Sequence, residues 1–94
     1  MILQYRILAE GNVQGVNYRS LAKRIADELG VKGFARNLPD GRVEIVCECG
    51  EEKLGEFKNR LERKSSSFFG MNVEKITVEK LSFPQKFSSF EIEF

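Results

Sequence analysis

Gly11 to Arg19, GNVQGVNYR, is the stretch of this chain best suited to hold a reacting group. The stretch holds no acid, histidine or cysteine, and the whole chain lacks histidine. Side-chain general acid–base catalysis and metal ligation therefore have no ordinary carrier within it. What it can offer is backbone. If it leads from a strand into a helix, the first helical turn presents N–H groups without intrahelical partners, and the helix dipole favours an anion there. Gly11 and Gly15 would let the chain curl until successive N–H groups face one centre. A carboxylate inside such a nest would repel phosphate, so the missing acids carry information. Arg19, closing the stretch, could grip two phosphate oxygens with its planar fork. The G-K-[ST] ending of nucleotide-binding loops is missing, which argues against magnesium–nucleotide chemistry. A tight strand-to-helix turn with a surface arginine fits the same spacing.

A second stretch bears on that choice. GFARNLPDGRVE, residues 33–44, places Asn37 at a strand end just before a turn. Asparagine there can cap the turn. Its amide carbonyl could also orient a water toward a phosphorus held by the glycine loop. The expected sheet sets this strand beside the first one, which delivers that loop.

Periodicity sets the strands and helices that carry these two stretches. Residues 2–9 read as a strand, and Tyr18–Leu29 as a helix with Leu21, Ala22, Ile25, Ala26 and Leu29 on one face and Gly30 as its stop. VKGFARN is a strand, LPDG a turn, and RVEIVCEC a strand folding back antiparallel. In that strand Val43, Ile45, Cys47 and Cys49 share one face while Glu44 and Glu48 point the other way. Residues 51–64 return to helical spacing with Leu54, Phe57 and Leu61 inward, and Gly55 is a weak point in it. SSSFFG reads as a loop. NVEKITVEKL reads as a strand in which Val73 is out of step with Ile76 and Val78, as a bulge or a late start would explain. FSSFEIEF alternates, with Phe90, Ile92 and Phe94 on one face. The order β-α-β, β-α-β with an extra strand segment predicts an α+β class: a ferredoxin-like split-βαβ sandwich, an antiparallel sheet with both helices on one face.

Composition narrows the function classes. Fifteen Lys and Arg against 14 Asp and Glu leave a net charge of +1, too even for a broad grip on nucleic acid or anionic membrane. No apolar run approaches the roughly 20 residues that span a bilayer, and no secretory signal is recognised. The expectation is one soluble cytoplasmic domain over residues 1–94. Cys47 and Cys49 are too few for a disulfide framework or a zinc site, and Cys47 reads as a small core residue.

Set side by side, the two stretches resemble one family. GNVQGVNYR matches the acylphosphatase signature G-x-V-Q-G-V-x-[FY]-R, and GFARNLPDGRVE is similar to that family's second motif. The likeness extends over nearly the whole chain. It implies the ferredoxin-like sandwich and hydrolysis of acyl phosphates to a carboxylate and inorganic phosphate, with no metal and no cofactor. It also implies a small-molecule partner only, with no nucleic acid, no membrane and nothing demanding more than a monomer. Carried to matching positions, Arg19 binds phosphate and Asn37 positions the water. The backbone of Val13, Gln14, Gly15, Val16, Asn17 and Tyr18 forms the cradle with Arg19, and the side chains of Gln14 and Asn17 are not needed for it. Tyr18 stands where phenylalanine is frequent, and Phe34 where tryptophan is frequent. The proline-containing loop of many relatives is missing around SFFGMNVEK. Two rivals remain in view. One is a non-catalytic, phosphate-binding or regulatory domain of the same family. The other is an RNA-binding module on the same fold, for which KGFA at residues 32–35 is the only echo.

Overall fold

The structure, a computed structural model, describes residues 3–65, 72–81 and 85–93. Its elements are β1 (Leu3–Asn12), α1 (Tyr18–Leu29), β2 (Lys32–Asn37), β3 (Val43–Cys49), α2 (Glu51–Ser65), β4 (Asn72–Lys80) and β5 (Phe90–Glu93). The sheet order is β4-β1-β3-β2-β5. β1 pairs antiparallel with β3 and β4, and β2 antiparallel with β3. The expected antiparallel split-βαβ core is therefore present, and β5 widens it as a parallel edge on β2. Of the loop expected at SSSFFG, residues 66–70 lie outside the described residues, as does Phe94.

Alternation decides which side of the sheet is buried. Tyr5, Ile7 and Ala9 of β1, Ala35 of β2, and Val43, Ile45, Cys47 and Cys49 of β3 join one core with Leu21, Ala22, Ile25 and Ala26 of α1 and Phe57 and Leu61 of α2. Burying each large apolar side chain here contributes about 1.5–3 kcal/mol. α1 stops where Gly30 turns left-handed, at φ 73°, and the Val31 N–H reaches back to the Ala26 carbonyl at 2.8 Å. An L side chain at that φ would be strained, so the glycine ends the helix.

The face away from the helices is less open than alternation suggests. Glu44 points away from the helices as expected, yet it is only 4% exposed. Its two carboxylate oxygens accept from the Nε atoms of Arg6 on β1 and Arg36 on β2, so one buried charge ties three strands. Residues 85–87 cover the neighbouring area. Gln4 Nε2 donates to the Gln85 carbonyl at 2.6 Å, the Gln85 N–H donates back to Gln4 Oε1 at 2.8 Å, and Phe87 meets the Phe34 ring edge-on.

The phase slip in the fourth strand is a bulge. Glu10 faces Lys75 but Gly11 faces Val73, so Glu74 has no opposite number. Gly11 thus lies inside β1, which runs three residues past the expected end. A Cβ on Gly11 would sit 2.2 Å from the Asn72 carbonyl oxygen, and only glycine admits the close approach.

Candidate active site

Strand direction brings the candidate residues to one end of the sheet. β1 and β2 each run antiparallel to β3, so they run parallel to one another and finish at the same edge. The expectation that β2 lies beside β1 is corrected here: β3 stands between them, because the hairpin partner of β2 also takes the central place beside β1. Ala9, Val43 and Asn37 form one row across that edge, with β1 and β2 about 10 Å apart at ~4.8 Å per strand. The loop after β1 spans this gap. Gln14 Nε2 donates to the Leu38 carbonyl at 2.7 Å and to the Arg42 carbonyl at 2.9 Å, clamping the loop to the β2–β3 hairpin. Sequence reasoning gave this side chain no task; its partners are distant in sequence, and no local pattern announces them.

The loop's backbone has the conformation an anion nest requires. Gly15 has φ 74°, and Asn17 has φ 63°, the single left-handed non-glycine among the described residues. Left-handed residues alternating with ordinary ones turn successive N–H groups to one side, at about 1–2 kcal/mol for a non-glycine. Gly11 takes no part in this curl, being held in β1. Asn17 is the N-cap of α1, its side chain makes no capping bond, and the first turn carries no acid. The first helical hydrogen bond runs from the Leu21 N–H to the Asn17 carbonyl at 3.1 Å. The amides of Tyr18, Arg19 and Ser20 precede it and fall in the group that helices leave without internal partners.

Tyr18, Arg19 and Ser20 are among the residues that line a pocket of about 220 Å³, with Val13, Gly15, Asn17, Asn37 and Ile92. Arg19 and Asn37, far apart in sequence, therefore share one hollow with the loop. Val16 packs against the core, and Val13 is buried in it. Arg19 is half-buried, and its Nη1 donates to the Glu93 carbonyl at 2.8 Å. One turn on, Lys23 Nζ donates to the Phe90 carbonyl at 2.8 Å, so two cations of α1 hold β5 by its backbone.

Asn37 is the exposed last residue of β2 and does not cap the turn. The hairpin is closed by the Leu38 N–H on the Arg42 carbonyl, and the capping oxygen is Asp40 Oδ1, which accepts from the Arg42 N–H at 3.1 Å. Hydrogen bonds from the Arg42 side chain and backbone hold the Asp40 carboxyl below its ordinary range.

Tyr18 anchors the start of the helix. It is 1% exposed, and its hydroxyl has no hydrogen-bond partner among the described residues. Burial, with Glu62 nearby, pushes the phenol well above its usual range, so it stays protonated. The two cysteines are free thiols, both buried. They sit toward the far end of β3, whose near end, Val43, pairs with Asn37. At about 3.3 Å per residue, Cys49 is roughly 20 Å from that edge. A mutual hydrogen bond and burial raise the Cys47 thiol's pKa. Among the described residues no group of three or more His, Cys, Asp or Glu could hold a metal ion, and no helix is long and apolar enough to cross a membrane.

The protein is thus a ferredoxin-like α+β sandwich with an acid-free hollow at the start of its first helix. Comparison with known proteins agrees. The family model described as Acylphosphatase matches residues 5–92. An acylphosphatase of Bacillus velezensis is 39% identical over 93 residues, covering 99% of this chain and 100% of the relative. One from Archaeoglobus fulgidus is 35% identical over 95 residues, again 99% of this chain and 100% of the relative. The crystal structure of acylphosphatase from Bacillus subtilis superposes with a TM-score of 0.87 at 32% identity, covering 100% of both chains. The HypF structure from T. kodakarensis, at 28% identity and TM-score 0.82, covers 100% of this chain and 12% of that one. The chain belongs to the acylphosphatase family. It is an enzyme, a hydrolase whose substrate class is small-molecule acyl phosphates.

Proposed function

We propose that this acylphosphatase binds the phosphoryl group of its substrate in the backbone cradle of Val13 to Arg19, under the Arg19 guanidinium, while Asn37 orients the attacking water. The observation that carries this reading is the shared pocket: Arg19, Asn37 and the curled loop line one hollow. The chemistry asks for little more. The leaving carboxylate comes from an acid with pKa about 4, so it departs without protonation. The loose transition state of phosphoryl transfer spreads charge over equatorial oxygens, which amide donors and a guanidinium stabilise without moving. The Asn37 carbonyl accepts a hydrogen bond from the water and holds it in line with the breaking P–O bond. Attack forms the new P–O bond, the acyl oxygen leaves as carboxylate, and the water's proton passes to solvent.

The pocket lining contains no carboxylate, imidazole or thiol, which supports turnover without metal or cofactor. The even charge supports a small-molecule substrate over a nucleic acid or an anionic membrane. The RNA-binding rival loses support, because Phe34 is 9% exposed and lies under Phe87 instead of offering a stacking face. The test is phosphate release from synthetic acetyl phosphate with EDTA present. Wild type turns over, and Arg19→Lys falls by on the order of 10³-fold, since a point charge cannot replace the fork. Asn37→Ala loses turnover while inorganic phosphate still inhibits the residual rate. Near-normal rates in the Arg19→Lys variant would show the arginine assignment to be wrong.

A further inference from the structure

Ile92 is a half-buried apolar residue of β5, two positions beyond the fully buried Phe90. Other half-buried apolar side chains, such as Val16, Leu54, Ile76 and Val78, pack against the core, but Ile92 is not in that group. It lines the pocket with Asn37 and Arg19. Strand register explains how. Ile92 pairs with Ala35 in the parallel β2–β5 ladder, and Asn37 follows Ala35 by two residues, so both project from the same face of the sheet. With strands ~4.8 Å apart and ~3.3 Å per residue, their Cα atoms are about 8 Å apart. The next backbone carbonyl, that of Glu93, holds Arg19 at 2.8 Å, which keeps this short edge strand against the pocket.

We propose that Ile92 selects the nucleophile: its side chain walls the space beside Asn37 so that water fits there and a small alcohol does not. The inference rests on the reading that Asn37 holds the attacking water. In-line displacement puts the departing acyl oxygen opposite the nucleophile, so a residue flanking Asn37 bounds the nucleophile's side. The methyl groups of Ile92 offer no hydrogen bond, which leaves Asn37 as the anchor and the isoleucine as a steric limit. Shortening this side chain makes room for methanol. Attack by methanol forms a P–O bond to the methanol oxygen and breaks the bond between phosphorus and the acyl oxygen. The products are methyl phosphate and the carboxylate, and the methanol proton passes to solvent.

The experiment supplies acetyl phosphate and molar methanol to the full chain and measures methyl phosphate against inorganic phosphate by ³¹P NMR, with an enzyme-free blank. The ratio reports only molecules that turn over, so a partly unfolded variant cannot mimic the effect. Ile92→Ala should raise the methyl phosphate to phosphate ratio about tenfold over wild type, at the low end of what hydrocarbon groups are worth in a substrate pocket. Ile92→Val should fall between them. Equal ratios in wild type and both variants, with turnover still dependent on Arg19, would overturn the inference and leave the catalytic reading standing. Turnover independent of Arg19 would overturn both.

Discussion

Replacing Gln14 tests whether the cradle and Asn37 are one rigid unit. Its Nε2 makes two hydrogen bonds, 2.7 Å to the Leu38 carbonyl and 2.9 Å to the Arg42 carbonyl. Each neutral bond contributes about 0.5–1.5 kcal/mol net, so Gln14→Ala should cost about 1–3 kcal/mol. For a chain of this size each kcal/mol moves Tm by roughly 4–8 °C. Gln14→Glu has nearly the same shape and should be worse than alanine at pH 7, because a carboxylate has no proton to donate and would face two carbonyl oxygens. Those carbonyls raise the pKa of the introduced acid in the folded state. Its protonated form, which can donate, is therefore favoured by folding, and the deficit should shrink as pH falls toward the ordinary glutamate value of about 4.3 and grow as pH rises. Turnover should fall in the same order, by about 10–100-fold, since a displacement of about 1 Å in positioning groups costs that much. Urea unfolding at two pH values, beside initial rates, reads both effects. A Gln14→Glu protein as stable and active as wild type at pH 7 would refute the clamp.

Substitutions at three further positions probe the surroundings. Asn17→Gly relieves the left-handed N-cap and should retain phosphate affinity, whereas Asn17→Val should cost about 1–2 kcal/mol and weaken inhibition by phosphate; equal affinities in both would count against the nest. Tyr18→Phe removes a hydroxyl that is buried without a partner among the described residues, so urea unfolding should show a gain of about 1 kcal/mol with kcat unchanged; a loss of stability would mean the hydroxyl is satisfied. Gly55→Ala in α2, where an added Cβ meets nothing within 4 Å, should raise stability by about 0.5–1 kcal/mol; no gain in the urea midpoint would contradict that.

What could be read from the chain follows from local physics. Helical spacing located α1 and α2, and Gly30 marked where α1 ends. Alternation assigns one face of β3, and the slip at Val73 leaves a bulge and a late strand start equally open. What could not be read depends on contacts distant in sequence. Residue type alone puts Gly11 in the nest, since its close approach to Asn72 exists only once β4 lies beside β1. Alternation places Glu44 on the other face of β3, but its burial between Arg6 and Arg36 depends on partners that are not its sequence neighbours. The same holds for the site. Arg19 and the loop stood out by residue type and by resemblance, and Asn37 by the paired motif. The clamp of Gln14 and the place of Ile92 beside Asn37 appear only when the hairpin and β5 reach the same edge of the sheet. Alternation alone could not place β2, because β3 pairs with both β1 and β2.

The measurement that bears most directly on the cradle is an NMR titration of the amide N–H signals with inorganic phosphate. The account expects the amides of Gly15 to Ser20 to move together, saturating at one site whose Kd equals the inhibition constant for phosphate, and to stay still in Arg19→Ala. Loop amides that do not respond while phosphate continues to inhibit would contradict it.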